Sequence, residues 1–580
     1  MDSYKSYKQW LENSYFDKET VEELNSIKDN PKEIEERFYR ELEFGTGGLR
    51  GILGAGTNRM NKYTVRKATQ GLADYILKKG EGAKERGVVI AYDSRLKSDE
   101  FALETALVFA GNGIRAYLFN ELKPTPELSF AVRFLNAAGG VVITASHNPK
   151  QYNGYKAYGE DGAQLSPEES DKVIDEVRKI FDITKVNRIS KKEAEARGLL
   201  KIIGKEIDIE YMNCLKTLSV NPELAKSMGS ELKIVYTPLH GTGNKPVRRL
   251  LDETGFKNVL VVKEQEMPDA SFSTVKSPNP EDKNAYKLGI ELANKENGDL
   301  IIATDPDCDR VGVMIKNESG QFMSLTGNQI GCLLMEYILS QKKNKGELPK
   351  NGFVVKTIVT SELARAISKE YNVEMVEVLT GFKFIGQKIK ELDEYGDRTF
   401  IFGFEESYGY LAGTYSRDKD AVVASLLIAE MAAFFRLKGM AVHQALHELF
   451  EKYGYFLEDT VSFTLEGKDG QERIVNTMDY LRENMDSKFG TQRVTAIRDY
   501  LKQKRFAMID GKSHNLELPP SNVLYYELGG SDWFCIRPSG TEPKIKIYFG
   551  ISESDAESAE SKLQKVKENV LDEVKKHLYA

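Results

Sequence analysis

Short apolar runs that stop abruptly at polar or glycine-rich loops recur along this chain, and they predict where its strands lie. The run Val141-Val142-Ile143 empties into Thr144-Ala145-Ser146-His147-Asn148-Pro149, the pattern of a buried strand whose loop faces the crevice of a parallel α/β sheet. Another strand is predicted over 87–91, and helices over 64–79 and 99–111 alternate with these strands, which marks a βαβ sheet. Upstream, the first ~40 residues read as acidic helix, until Phe44-Gly45-Thr46-Gly47-Gly48-Leu49-Arg50-Gly51 interrupts them with four glycines.

The same grammar then repeats. A strand over 233–236 leads into Thr237-Pro238-Leu239-His240-Gly241-Thr242-Gly243 and a helix from Lys245, with 300–303 as the last strand of that unit. Strands over 353–355, 375–378 and 399–402 form a third unit. The tail differs: strands over 459–464, 533–536 and 544–548 precede a helix carrying Leu563, Val566, Val570, Val574 and Leu578 at helical spacing, with Ser554 and Glu557 as a capping box. The expected fold class is α/β, with three similar mixed-sheet domains (1–204, 205–322 and 323–452) followed by a smaller α+β C-terminal domain (453–580).

Composition narrows the classes. At 580 residues, a prior of about 150 residues per domain agrees with about four domains. The charges, 81 basic against 88 acidic, nearly balance, which argues against a general nucleic-acid binder, so any anionic ligand must be held by local clusters. Cys214, Cys308, Cys332 and Cys535 show no Cys-x-x-Cys spacing, so neither a disulfide framework nor a zinc knuckle is expected and a reducing, cytoplasmic setting fits. The start, Met1-Asp2-Ser3-Tyr4-Lys5, lacks the pattern of a signal peptide. The longest apolar stretch, 421–435, is interrupted by Glu430 and falls short of the roughly 18 residues of a membrane span, so it reads as a buried helix and no membrane association is expected.

Three loops carry candidate chemistry. Asp305-Pro306-Asp307-Cys308-Asp309-Arg310 sets three carboxylates at alternate positions after an apolar strand, an arrangement suited to a hard cation such as Mg²⁺. An EF-hand would want Gly and Glu where Arg310 and Lys316 stand, and a solvated acidic turn is the remaining alternative. Arg537-Pro538-Ser539-Gly540-Thr541-Glu542-Pro543-Lys544 combines a guanidinium, hydroxyls and a glycine, the parts of a phosphate cradle or of a basic turn. Gly403-Phe404-Glu405-Glu406-Ser407-Tyr408-Gly409 offers partners for sugar hydroxyls, or is a surface loop with two acids. Ser146 faces a ligand or sits in an ordinary turn, and Lys156 and Lys419 are candidates for proton transfer or phosphate binding. Gly241-Thr242-Gly243 is a poor dinucleotide fingerprint because Pro246 occupies its third glycine position, and His443 and His447 lack the glutamate of a zinc protease at Gln444.

Five of these pieces, in this order, resemble the α-D-phosphohexomutase superfamily over essentially the whole chain: the Gly45 to Gly51 stretch, the serine loop, the three-aspartate loop, the Glu-Glu-Ser loop and the Arg-Pro-Ser-Gly-Thr loop. Phe44 to Gly51, Asn58-Arg59-Met60-Asn61 and Thr69-Gln70-Gly71 look most like its phosphoglucomutase/phosphopentomutase branch. The resemblance implies four domains around a central cleft. It implies that Ser146 carries a phosphoryl group, that Asp305, Asp307 and Asp309 hold Mg²⁺ with an oxygen of that phosphate, and that Arg50 and Arg310 lie close by.

The implied reaction interconverts glucose 1-phosphate and glucose 6-phosphate through glucose 1,6-bisphosphate. By the same resemblance Arg537, Ser539, Gly540 and Thr541 grip the idle phosphate, Glu405 and Ser407 bind sugar hydroxyls, and Thr380-Gly381 is a further substrate loop. His147, Lys156 and Lys419 occupy positions linked with proton transfer, His147 and Lys419 being the acid/base candidates. The chain departs from the family in having Pro306 and Cys308 between its acids, where a Gly and a small residue are usual. Phosphosugars are the expected partners, with a monomer or weak dimer. Phosphopentomutase, phosphomannomutase and bisphosphate synthase activities are alternatives within the superfamily. Outside it stand a phosphatase using Asp305 as nucleophile, which would leave the serine loop unemployed, and a non-catalytic sugar-phosphate sensor.

Overall fold

The strand Val88–Tyr92 reads Val-Val-Ile-Ala-Tyr, without a polar face, and such a strand belongs in the middle of a sheet covered on both sides. In the computed structural model, which describes residues 2–45, 47–465, 467–539 and 544–579, it lies between Gly139–Ile143 and Ala116–Phe119 and runs parallel to both. The full order of this six-stranded sheet is Gly48–Ile52, Tyr152–Tyr158, Gly139–Ile143, Val88–Tyr92, Ala116–Phe119 and Leu200–Ile203. Its first three strands pair antiparallel, so the sheet is mixed. Lys62–Leu77 begins at a capping box of Asn61 and Thr64, and Pro167–Arg178 at one of Ser166 and Glu169, each satisfying first-turn N–H groups that the helix leaves open. The apolar faces of these helices meet Ile90, Phe101, Leu107 and Val141 in one buried core.

The second sheet has the order Phe322–Ser324, Val311–Lys316, Leu300–Thr304, Ile234–Thr237 and Val259–Val261. The strand expected to end this unit is therefore not its last: Val311–Lys316 folds back antiparallel on Leu300–Thr304. The three-aspartate loop is thus a tight reversal between two strands, and Cys308 adopts a left-handed backbone (φ 53°) to make it.

The chain forms two units. One comprises Met1–Leu325, Ile385–Phe400 and Tyr408–Gly439, and the other Thr326–Phe384, Ile401–Ser407 and Met440–Ala580. Lys419 therefore belongs with the serine and aspartate loops. The helix behind it, Ala421–Leu437, is apolar all round and buried over its first three turns, and Glu430 inside it accepts from the Ser219 hydroxyl and the Asn221 N–H, both at 2.5 Å. Among the described residues no helix is long and apolar enough to cross a membrane.

In the second unit Gly352–Thr357 pairs in parallel with Glu374–Val378, and Thr399–Glu405 lies on its other side. That strand runs three residues beyond the expected 399–402, which puts Glu405 on its end rather than in the loop. The C-terminal sheet is antiparallel throughout, in the order Tyr455–Thr464, Lys544–Glu553, Asp532–Pro538, Leu524–Gly529, Ala496–Asp499, Lys504–Ala507 and Ser513–Asn515. The helix Ala556–Leu578 packs on it through Val566, Val570, Val574 and Leu578. Its N-cap is Asp555, which accepts from the Ser558 N–H, not the expected Ser554, because a carboxylate one residue later reaches the open N–H equally well. Three sheets with helices between their strands and an antiparallel C-terminal sheet with its helix match the fold class expected, three α/β domains followed by an α+β domain.

Candidate active site

Ser146 follows the buried strand Gly139–Ile143 with a positive φ of 51°, a conformation that costs a non-glycine residue energy unless neighbours hold it. They do. The Ser146 N–H donates to Thr144 Oγ1 at 2.8 Å, and Thr144 in turn donates to Asp93 at 2.6 Å. Arg95 spreads one guanidinium over the carbonyls of Ser146 and Asn148, both at 2.5 Å, and of Pro149 and Tyr152, both at 3.0 Å. Asp93, 3.3 Å from Arg95 Nε, balances that charge. Residues 144–152 are therefore wrapped around a buried ion pair.

The Ser146 hydroxyl donates to Asp305 Oδ2 at 2.6 Å and lies 3.3 Å from His147 Nδ1. The other Asp305 oxygen accepts from the N–H groups of Asp309 and Arg310, at 3.1 and 3.0 Å. Asp307 Oδ2 accepts from Lys156 Nζ at 2.7 Å and from the Thr125 hydroxyl at 2.8 Å. Asp309 Oδ2 is 3.1 Å from Lys156 Nζ and 3.0 Å from Lys419 Nζ. Lys156 reaches its position because Tyr152–Tyr158 pairs with Gly48–Ile52, which places Gly48 opposite Lys156 and Arg50 opposite Gly154. Only glycine fits at 48, since a Cβ there would stand 1.8 Å from the Tyr155 carbonyl oxygen. Arg50 donates to Asn148 Oδ1 at 3.2 Å, and Arg310 is 2.9 Å from Glu281. Lys419 is fixed beside Asp418, whose carboxylate accepts from Tyr158.

The three carboxylates offer ligand atoms within 4.8 Å of one another, all buried. Asp307 Oδ1 and Asp309 Oδ1 have no hydrogen-bond partner among the described residues. Buried anionic oxygens left open in this way are costly, and hard oxygen donors are what a divalent cation of the Mg²⁺ type takes. The donor set fits a metal. Burial, then Asp309 and Asp307, push the Asp305 carboxyl well above the usual range, whereas at Asp309 burial is outweighed by Lys156, Lys419 and Arg310, which hold it far below. Burial acts against the Lys156 charge, but Asp307 and Asp309 more than offset it and the ammonium is held above its ordinary value. Burial, followed by Arg310 and Arg50, pushes the His147 imidazole well below its ordinary value, so it is neutral at physiological pH.

In the second unit the structure gathers the expected substrate loops. Gly381 has φ 116° and opens the helix Phe382–Ile389. Arg537, on Asp532–Pro538, lies close enough to Lys383 that, after burial, its charge is the second cause holding that ammonium down to about 8. Glu405 is buried, and beside it Glu406 accepts from Thr357 at 3.1 Å and Thr360 at 3.4 Å. Burial and then Glu405 push the Glu406 carboxyl up, while Lys546 draws it down. Thr380 and Ser407 are half-buried, and the Ser539 N–H donates to the Lys544 carbonyl at 2.7 Å. Gly540 and Thr541 lie outside the described residues, as does Thr46 of the glycine-rich stretch.

Sequence reasoning missed Asp93, Arg95, Thr125 and Lys383. The first two carry a signal: Asp93-Ser94-Arg95 follows a strand end directly, as the serine loop does. Thr125 has only its place at the start of the helix Thr125–Phe134, and Lys383 its closeness to Thr380-Gly381.

The chain has relatives among known proteins. Residues 41–183, 209–320 and 326–453 match three family models, described as phosphoglucomutase/phosphomannomutase alpha/beta/alpha domains I, II and III. The chain is 38% identical over 534 residues to a phosphoglucomutase of Staphylococcus aureus (strain MRSA252), which spans 92% of this chain and 94% of that protein. Two solved structures share its fold. One is a phosphoglucomutase/phosphomannomutase family protein from Burkholderia thailandensis (TM-score 0.62, 18% identity, 92% of this chain and 97% of that one). The other is pp63/parafusin from Paramecium, a phosphoglucomutase in its open form (TM-score 0.67, 17% identity, 93% of this chain and 96% of that one). With all three domain models matched in order and a relative of this identity over nearly its whole length, the chain belongs to the phosphoglucomutase/phosphomannomutase family.

Proposed function

We propose that the protein is an isomerase that interconverts α-D-glucose 1-phosphate and glucose 6-phosphate, using phosphoserine at Ser146 and glucose 1,6-bisphosphate as intermediate and activator. The observation that carries this reading is the 2.6 Å contact of Ser146 Oγ with Asp305, beside Asp307 and Asp309, each of which keeps one oxygen without a hydrogen-bond partner among the described residues. A serine so placed can hold a phosphoryl group whose oxygens complete the coordination of a cation.

In the first half-reaction the bond from Ser146 Oγ to phosphorus breaks as the free sugar hydroxyl forms a new one; that hydroxyl gives up its proton, and the released Ser146 oxygen takes one up to become a hydroxyl again. Neutral His147, 3.3 Å from Ser146 Oγ, can take the sugar hydroxyl's proton, and Lys419, 3.0 Å from Asp309, is the second acid/base candidate. Lys156, kept charged by Asp307 and Asp309, serves electrostatically, as do Arg50 and Arg310. Mg²⁺ held by Asp305, Asp307, Asp309 and the oxygen on Ser146 would supply Lewis-acid stabilisation of the transferring charge. After reorientation of the bisphosphate, Ser146 recovers the other phosphate. Thr380, Gly381, Glu405, Ser407, Arg537, Ser539, Gly540 and Thr541 hold the sugar and its idle phosphate in this reading, with Lys383 beside Arg537 as an added cation. The division at 204, 322 and 452 and a cytoplasmic setting with phosphosugar partners belong to the same proposal.

The test supplies purified protein with Mg²⁺, a trace of glucose 1,6-bisphosphate and a panel of glucose, mannose, ribose and deoxyribose 1-phosphates. Highest kcat/KM for the glucose compound and acid-stable phosphate on a Ser146 peptide are expected. A hydroxylamine-labile label would point to an acyl phosphate on Asp305 and overturn the reading.

A further inference from the structure

The Gly241-Thr242-Gly243 stretch, a poor dinucleotide fingerprint, opens onto a cavity of about 360 Å³, a size within the range of small-molecule sites. Neither Ser146 nor any of the three aspartates lines it. Pro124, Met212, Pro246 and Met267 give it apolar walls, while Lys123, Lys245 and Arg249 face Glu121, Glu127 and Asp208 in its lining. Burial, and after it a hydrogen bond to Asp208, push the Glu127 carboxyl well above the usual range against the pull of Lys123. Each cation already has an acidic partner: Lys123 is 2.6 Å from Asp208, Lys245 pairs with Glu121, and Arg249 Nε is 2.6 Å from Glu253, which uses one of the five donors of that guanidinium.

Two polar atoms of the lining residues, Thr242 Oγ1 and Glu127 Oε1, are buried without a hydrogen-bond partner among the described residues. The helix Asn244–Thr254 begins at Gly243, which supplies no side-chain cap, so its first-turn N–H groups add positive potential to this end of the cavity.

Both walls hold the metal loop. The Thr242 N–H donates to the Pro306 carbonyl at 2.8 Å, and Gly241 passes so close that a Cβ would stand 2.5 Å from Pro306 Cα. Thr125, next to Pro124, donates its N–H to the Asp307 carbonyl at 2.9 Å and its hydroxyl to Asp307 Oδ2 at 2.8 Å. A molecule that pushed these walls apart or drew them together would move Pro306 and Asp307 directly.

We infer that this cavity is an effector site for a small organic oxyanion with an apolar body, and that its occupancy changes metal affinity through Thr125 and Thr242. The binding step stands apart from the mutase reading, and only its use in regulating activity rests on that reading. The test uses the full chain with phenylacetate and phenyl phosphate as probes, benzyl alcohol as the uncharged control and inorganic phosphate as the control without an apolar body, each followed by calorimetry. Phenylacetate is expected to bind, to lose at least about tenfold in affinity in Met212→Trp and in the double variant Lys245→Glu/Arg249→Glu, and to shift the dissociation constant of Mg²⁺ alone by about fivefold or more. If Met212→Trp does not fold, the double variant at the cavity mouth decides. Absence of binding by both aromatic anions, equal binding of benzyl alcohol, binding unchanged in the variants, or an unmoved Mg²⁺ constant would each overturn the inference. Because Mg²⁺ binding is read without turnover, failure here is separable from failure of the mutase assay.

Discussion

Asp305 accepts the Ser146 hydroxyl at 2.6 Å although 159 residues separate them in the chain. The contact ties the serine loop to the three-aspartate loop before any substrate arrives. Replacing Asp305 by Asn keeps an acceptor of the same shape but removes the anion, so kcat should fall by roughly 10²–10³, the size seen when one charge-stabilising group is removed. Calorimetry should show weakened Mg²⁺ binding in the same variant. Full activity with unchanged metal affinity would mean that Asp305 is not a ligand.

Arg95 serves four carbonyls with one rigid fork, and a lysine has no geometry to match it. Arg95→Lys leaves buried acceptors open at about 1–3 kcal/mol each. Urea denaturation should show a loss of at least about 2 kcal/mol, and kcat should drop on the order of 10-fold to 10²-fold as Ser146 loses its alignment. Unaltered stability would show that the loop holds itself.

Lys383 should impose an alkaline limit on substrate capture. With its ammonium held down to about 8 by burial and Arg537, it loses charge above that pH, and kcat/KM should fall along a limb centred near pH 8. Lys383→Arg should move this limb upward. Stability goes the other way: between about 8 and the ordinary value of 10.5 the unfolded chain binds the extra proton, so folding gains as pH rises. A kcat/KM profile flat from pH 7 to 9.5 would remove Lys383 from the phosphate grip.

Glu458, on Tyr455–Thr464, is pushed up to about 7 by burial against the opposing pull of Ser361, Asn328 and Lys356. Here the native state holds the proton longer than the unfolded one, so stability declines as pH rises from the ordinary 4.5 to about 7. Glu458→Gln should remove that decline, so that melting curves of the two proteins coincide near pH 4.5 and separate towards pH 7.5 with the variant higher. Parallel curves across that interval would refute the assignment.

Much of this architecture was legible because buried strands are written as apolar runs. Val141-Val142-Ile143 and Leu300-Ile301-Ile302-Ala303 announce both the strand and the loop that follows, and Ser146 and the three aspartates stand in those loops. Val311–Lys316 was missed because the polar loop before it looked like an ending, while the chain merely turned back. What local pattern does not hold is pairing at a distance. Nothing near Lys156 says that it will meet Asp307 at 2.7 Å, and nothing near Thr125 says that it will hold the same carboxylate. Lys419 stands far along the chain from Asp309, and only the fold brings its ammonium to 3.0 Å from that carboxylate.

The buried Asp93 and Arg95 pair beneath residues 144–152 has a consequence for the path of the sugar. A serine anchored through its own backbone to an ion pair is a fixed post: it has no slack with which to follow a turning ligand. If one immobile oxygen both gives and receives phosphate, the two ends of the sugar must visit it in succession. The half-turn of the catalytic cycle then falls wholly on the intermediate, and the protein's task is to let go of that molecule locally without losing it to solvent.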